Sequence, residues 1–406
     1  MRILLATSTF LPAIGGAEVA IHNLAEGLVS LGHSVAVCVV QRGERTEHER
    51  SYDLFRRTYP RGLGRTPLYA WWVGTRVAGV IQRWRPDVVH AHFAWPTGYA
   101  VECSRVGSGV PIVLTSHGED IQRRADVGYG YRLNARLDRR IRFAVCHADG
   151  LTAVGSDVVT EYLALGADPG RVSRVPNGIN WTRLAVENRR ARRDLDLPAS
   201  ARVILAVGRN HPKKGFSSLL GSMSLLRKDH PEALCVIVGR GVSELAPLVR
   251  KLGLEDCVRL YNEVLPVGID FRGSAAAPQD LVETFYKAAD VYAMPSLVES
   301  AGIVTVEAMA AGLPVVARRA AGAEDLVVHG ETGFLTDEGE EGLAGSLSLL
   351  LLDEDLRRRM GRAAQESAEV HDRVRVASAQ VEAYGLAGRE FHVRTARKIK
   401  GSPLRG

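Results

Sequence analysis

The chain has 406 residues, 46% hydrophobic and 24% charged, with a net charge of +6, enough apolar surface for two cores and no match to a disordered or fibrous class. Five scattered cysteines, Cys38, Cys103, Cys146, Cys235 and Cys257, with no C-x-x-C spacing, exclude a disulfide framework and a structural zinc site and suit a reducing cytosol. No apolar run reaches membrane-spanning length, and the apolar start breaks at Thr7, Ser8 and Thr9, so a first strand is expected there instead of a signal peptide.

Apolar runs at 2–7 and 34–40 read as buried strands, with helical spacing over 17–31 ending at Gly32. In the first turn of this βαβ unit, Gly15 and Gly16 precede Ala17 and Glu18; a phosphate loop and a plain tight turn both fit. An Arg-rich stretch over 42–65, a helix over 67–84 and a strand over 87–90 follow. The strand ends in HAH, placing His90 and His92 on one face. With no acidic partner or third ligand nearby, packing or substrate contact is expected there in place of a metal. A strand over 112–115 runs into Ser116, His117 and Gly118, so His117 sits where open α/β sheets bind ligands; a structural histidine fits these residues equally well.

Arg123, Arg124, Arg132, Arg136, Arg139, Arg140 and Arg142 lie among Tyr129, Tyr131, Leu133, Leu137 and Phe143. They form either a face for anionic lipid or a solvated helix. Nucleic acid is not expected, because no binding module accompanies the charge. Helices over 133–146 and 156–165 with strands over 150–154 and 172–175 complete a first doubly wound half, closed by Pro176, Asn177 and Gly178, and 186–199 suits a linker.

The second half opens with a strand over 202–207 and then GRNHPKKG, which sets Gly208 and Arg209 at the strand end and Lys213 and Lys214 before a helix. Such cations suit an anion clamp. Strands over 234–238, 258–261 and 269–271 and helices over 243–252 and 278–288 lead to a strand at 290–294. Residues 299–317, ESAGIVTVEAMAAGLPVVA, read as a loop carrying Glu299, a helix over 303–311 apolar on nearly every side, stops at Gly312 and Pro314, and a strand. Small Ser300, Ala301 and Gly302 ahead of the helix leave its N–H groups open to an anion. Glu307 lies inside that apolar helix, where an unpaired carboxylate would cost roughly several kcal/mol; its partner is an ion pair or a ligand. Helices are expected over 323–328 and 341–352, and LLDEDLRRRM reads as a helix cap, not a metal-binding DxD. The end of the chain, with Arg389, Arg394, Arg397, Lys398, Lys400 and Arg405 against Glu390, reads as a disordered basic arm.

Together, GGAE, LGHSV, DVVHAHF, TSHG, VPNGIN, VGRNHPKKG, ADVYAMPS and the Glu-x7-Glu spacing of Glu299 and Glu307 resemble the retaining glycosyltransferases of family four (glycosyl transferases group 1), over nearly the whole chain. The resemblance implies an α/β GT-B fold of two Rossmann-like doubly wound domains facing across a deep cleft. An acceptor domain would span 1–185 and a donor domain 199–370, with a crossing helix over 371–386 returning to the first and a basic tail over 387–406. It further implies that Glu307 takes the two ribose hydroxyls of the donor and that Glu299 lies near the transferred sugar. The backbone of Gly302, Ile303 and Val304 would hold sugar and phosphate, Arg209 and Lys214 would neutralise the diphosphate, Gly16 would approach the same group, and His117 would contact the sugar. Gly15, Gly208 and Gly273 join this donor set, and His117, Arg209, Lys214 and Glu299 form the expected catalytic group.

The implied activity moves a sugar, with retention, from a UDP- or GDP-type donor to a hydroxyl of a glycolipid, polysaccharide or small molecule, without a metal or separate cofactor. The cysteines point to a cytoplasmic location, and the lipid-facing alternative for the arginine cluster would add a peripheral place at the inner membrane face. A sugar-nucleotide epimerase of the same fold and a non-catalytic sugar-nucleotide binder are the alternatives. The family pattern is broken at Ser300, Ala301 and Asn180 and by the extra YNEVLPVGID before FRGS, which bears on donor-pocket shape and base preference.

Overall fold

The computed structural model describes all residues except 14, 42–49, 61, 66–67, 105–108, 187, 189, 263–281, 301, 321, 338 and 401–406, and the side chains of 397–400. The expected strand over 269–271, the start of the helix over 278–288, Gly273 and Ala301 therefore lie outside the described residues. The chain forms two compact units, Met1–Gly178 together with the segment from Arg373 onward, and Ile179–Asp372.

The first unit is built on a seven-stranded parallel sheet in the order β3-β2-β1-β4-β5-β6-β7. The strands are β1 Arg2–Thr7, β2 Ser34–Val40, β3 Asp53–Arg57, β4 Val88–His92, β5 Ile112–Ser116, β6 Gly150–Ala153 and β7 Val172–Arg174. Strands β1, β4, β5 and β6 are buried along almost their full length, which is why they read as continuous apolar runs without alternation. Strand order reverses between β1 and β4, and such a reversal opens a crevice beyond the carboxyl ends of the strands.

The second unit carries a six-stranded parallel sheet in the order β10-β9-β8-β11-β12-β13. Its strands are β8 Arg202–Val207, β9 Ala233–Val238, β10 Val258–Tyr261, β11 Val291–Met294, β12 Val315–Arg318 and β13 Gly333–Thr336. Here the order reverses between β8 and β11. The motifs GRNHPKKG and PSLVES leave those two strands at their carboxyl ends, so the topology itself brings them together.

Three expectations are corrected. The basic end of the chain is not a loose arm from 387. One helix, Arg373–Lys400, runs through it, because Val376, Ala377, Gln380, Ala383, Tyr384 and Ala387 form a buried stripe at helical spacing. Ala387 is 1% exposed and packs against Gly150, where a Cβ would lie 2.8 Å from the Ala387 Cβ. Arg394 donates to the His147 carbonyl at 3.0 Å, so part of the charge is tied to the first unit. The division between units falls at Gly178 and Ile179, ahead of the expected linker. Within that linker a short helix, Ala191–Asp194, holds Arg192, which pairs with Asp290 at 2.6 Å. Residues 323–328 form successive turns in place of a helix.

Candidate active site

In the second unit the chain leaves β8 through Gly208 and reaches a 3-10 turn, Pro212–Lys214, followed by Gly215. Gly215 has φ +66°, and a Cβ there would lie 2.1 Å from the Pro295 carbonyl oxygen. Glycine is required both for the left-handed backbone and for this approach. Leu297 N–H donates to the Lys213 carbonyl at 2.7 Å, pinning the cationic loop onto the loop after β11. A third loop closes in at Gly322, φ +84°, where a Cβ would lie 2.3 Å from the Glu299 carbonyl oxygen.

The result is a close ion pair. Lys214 Nζ donates to Glu299 Oε2 at 2.5 Å, with the side chains 13% and 11% exposed. Burial alone would raise the Glu299 pKa. The charges of Lys214 and Lys213 and the hydrogen bonds from Lys214 and the Gly302 N–H outweigh it, holding the carboxyl below its usual range. Lys214 also packs over Gly208, where a Cβ would lie 3.3 Å from its Cε. Arg209 is exposed at the end of β8.

Gly302 starts the helix Ile303–Ala310 with φ +48°, and a Cβ there would lie 2.6 Å from Leu326 Cδ1. The first-turn N–H groups of a helix, here those of Ile303 and Val304, have no intrahelical partner and mark its positive end. Glu307, one turn on, is 4% exposed. Among the described residues it has no ion pair: its partner is the Tyr286 hydroxyl, which donates to Oε2 at 2.9 Å. Burial pushes its pKa up to about 7 against the opposing effect of that hydrogen bond. A carboxylate held by one neutral phenol keeps further lone pairs for a ligand with adjacent hydroxyls. Tyr286 escaped the sequence reading because it lies on the helix Val282–Ala288, at no spacing that points to Glu307.

In the first unit, Gly15 is the extended N-cap of the helix Gly16–Ser30. A Cβ at Gly15 would lie 2.5 Å from Glu18 Oε2, and Thr9 donates to Glu18 Oε1 at 2.6 Å. This helix start thus already holds an acidic side chain. His117 follows β5, and its Nε2 meets His92 Nδ1 at 3.0 Å. His90 has both nitrogens engaged, with the Tyr384 hydroxyl at 2.8 Å and Thr115 Oγ1 at 2.7 Å. Buried Asp120, not singled out by the sequence, accepts from the N–H groups of Ala94 at 2.6 Å and His117 at 2.8 Å, joining the loops after β4 and β5. No group of His, Cys, Asp or Glu among the described residues is arranged to hold a metal.

The arginine cluster is partly neutralised. Arg124 pairs with Asp126, Arg132 with Asp138 and Glu161, and Arg140 lies 4.7 Å over the Trp95 ring. Arg123, Arg136 and Arg139 are exposed, as are Tyr131, Leu133 and Phe143. No helix of the described residues is long and apolar enough to cross a membrane.

Residues 14–183 match the family described as Glycosyltransferase Family 4, and residues 187–367 match Glycosyl transferases group 1. A D-inositol 3-phosphate glycosyltransferase of Corynebacterium efficiens is 34% identical over 303 residues, 70% of this chain and 67% of that protein. The chain belongs to the group 1 glycosyltransferases. An N-acetyl-alpha-D-glucosaminyl L-malate synthase of Bacillus anthracis is similar to this glycosyltransferase at 25% identity, over 88% of this chain and 90% of that one. Among solved structures, sucrose-phosphate synthase from Thermosynechococcus elongatus shares its fold with a TM-score of 0.78 at 20% identity, over 95% of this chain and 98% of that one. The fold of this glycosyltransferase is GT-B, with two parallel α/β domains. Of its expected site residues, Gly208, Arg209, Lys214, Glu299, Gly302, Ile303, Val304 and Glu307 lie in the second unit, and Gly15, Gly16 and His117 in the first.

Proposed function

We propose that this glycosyltransferase transfers a sugar with retention from a nucleotide-sugar donor to a hydroxyl acceptor. The observation that carries the reading is the second unit's paired carboxylates. Glu299 is locked to Lys214 beside the Gly302 helix start, and Glu307 is buried with, among the described residues, only a phenol for partner. The first arrangement suits a diphosphate and sugar, the second the vicinal hydroxyls of a ribose. In the reaction the C1–O bond to the leaving phosphate breaks, the acceptor oxygen bonds C1 from the same face, and the acceptor proton passes to a phosphate oxygen. Glu299 is committed to Lys214, which supports phosphate, not carboxylate, as the proton acceptor. Lys214, Arg209 and the helix N-terminus receive the charge that builds on the leaving group, so the proposed reaction runs without a metal.

The two curated relatives are named for a small anionic molecule bearing hydroxyls, which favours a small-molecule acceptor over a polysaccharide. Thermal shift with UDP, GDP, ADP and their sugar conjugates selects the donor, and NMR of the product reads the anomer. Retention in an EDTA-treated sample supports the reading; an inverted anomer refutes retention, and an epimerised donor sugar without acceptor identifies an epimerase. Binding with no turnover on any acceptor identifies a non-catalytic binder.

The exposed Arg123, Arg136 and Arg139 beside Tyr131, Leu133 and Phe143 support a peripheral place on anionic lipid at the cytoplasmic face. Salt-sensitive flotation with phosphatidylserine or phosphatidylglycerol vesicles is expected; no flotation at low salt contradicts it.

A further inference from the structure

Tyr286 and Glu307 form a buried pair whose polar capacity is only half used. Tyr286 is fully buried and Glu307 is 4% exposed. The phenol donates to Oε2 at 2.9 Å, while Oε1 has no hydrogen-bond partner among the described residues.

The groups around the pair are neutral or committed elsewhere. Tyr292 faces it from β11, with its ring centroid 6.3 Å from that of Tyr286. The helix Glu354–Ala368 packs on the Glu307 helix through Gln365, whose amide donates to the Ala310 carbonyl at 2.9 Å. Of the charges on that helix, Arg357 turns to Asp290 and the Leu350 carbonyl, Glu354 pairs with Arg358, and the rest are exposed. From the short helix Trp181–Leu184, Arg183 pairs with Glu283, which also holds Lys287 at 2.7 Å. β12 is apolar up to Arg318 at its carboxyl end. Glu299, in the loop ahead of the Glu307 helix, is held by Lys214.

This setting fixes where a proton sits. Burial raises the Glu307 pKa to about 7 against the opposing hydrogen bond from Tyr286. Burial and the Glu307 charge hold the phenol well above its usual pKa, so it stays a donor. With Oε2 accepting from the phenol, the carboxyl proton resides on Oε1 and turns that oxygen from acceptor into donor. Two vicinal hydroxyls that both donate therefore require the ionised form.

We propose that Tyr286 is a positioning residue for the nucleotide: its phenol holds Oε2 and favours the ionised carboxyl, and ribose binding expels the Oε1 proton to solvent. The ribose rests on the donor reading of Glu307; the coupling of Tyr286 to the Glu307 proton does not. Nucleotide affinity is thereby tied to pH. Below the Glu307 midpoint, binding must displace a proton and weakens about tenfold per pH unit; above it, affinity levels off.

The test has two arms. In the ligand-free protein, 13C spectra of the glutamate carboxyls, with the Glu307 signal assigned by its loss in Glu307→Gln, should show a midpoint near 7. In Tyr286→Phe it should lie about one unit higher, the worth of one hydrogen bond to a charged group. An ordinary carboxylate midpoint, or the same midpoint in both proteins, overturns the proposal. Whichever of UDP, GDP and ADP gives the largest thermal shift is then titrated calorimetrically from pH 6 to 9 in buffers of different ionisation enthalpy. At pH 6 the parent should release about one proton more than Glu307→Gln, a difference that cancels the titration of the phosphate. Equal release with weakened binding in Glu307→Gln overturns the proposal. Unchanged affinity in Glu307→Gln refutes the donor reading instead, as does a failure of all three nucleotides to bind, and the carboxyl titration then decides the coupling. Tyr286→Phe should bind about tenfold more weakly than the parent at pH 6 and equally at pH 9. A purely structural Tyr286 would weaken binding alike at every pH, and a phenol without a role would leave it unchanged throughout; either result overturns the proposal.

Discussion

Glu307 is held in a state that opposes stability. Its pKa lies near 7 in the fold and near the ordinary carboxylate value in the unfolded chain, so the folded state binds a proton more tightly between those values. Stability from this group is therefore present below about pH 4.5 and is lost as pH rises through 7, by about 3 kcal/mol when the shift is converted at 1.36 kcal/mol per pH unit. Glu307→Gln should unfold later than the parent protein above pH 7 and equally at pH 4, as read by urea titration, while losing donor affinity. Equal stability at both pH values would contradict the buried, cation-free assignment. Lys214 presents the reverse case, since removing it strands a buried Glu299 carboxylate. Lys214→Ala should lower kcat about 10²–10³-fold, and Lys214→Ala with Glu299→Gln should recover stability without recovering rate. Full activity in the single variant removes Lys214 from the site. At this scale the sequence showed the acid in an apolar helix but not its phenol partner, because Tyr286 and Glu307 meet through the packing of two helices.

The helix Arg373–Lys400 shows how composition can mislead about an element. Its five basic residues beyond Leu386 suggested an arm, yet the small residues that precede them, Ala383 and Ala387 above all, carry the helical stripe. Truncation after Leu386 removes the Ala387 contact with Gly150 and the Arg394 bond to His147. It should lower the melting temperature by about 2–4 °C for each kcal/mol lost; an unchanged melting temperature would restore the loose-arm reading. The strands were legible for the opposite reason. Parallel strands buried on both faces must be continuously apolar, and β1, β2, β8 and β9 are. The turns over 323–328 were misread because their apolar residues imitate one helical turn while Gly322 bends the backbone toward Glu299.

At the scale of the whole molecule, both sheets reverse their strand order and carry polar groups there or next to it: histidines at the ends of β4 and β5, a lysine and a glutamate after β8 and β11. The motifs were readable in one dimension, but the glycines that let their loops meet, Gly215 and Gly322, gained meaning only from the approach of Pro295 and Glu299. The central claim is that Glu307 receives the ribose hydroxyls of a nucleotide donor. Calorimetric titration of the preferred nucleoside diphosphate and its 2′-deoxy analogue into the parent protein and Glu307→Gln tests it most directly. The parent should prefer the ribose form by about tenfold, the value of one charge-assisted hydrogen bond, and Glu307→Gln should bind both forms equally; an undiminished preference in Glu307→Gln would contradict the account.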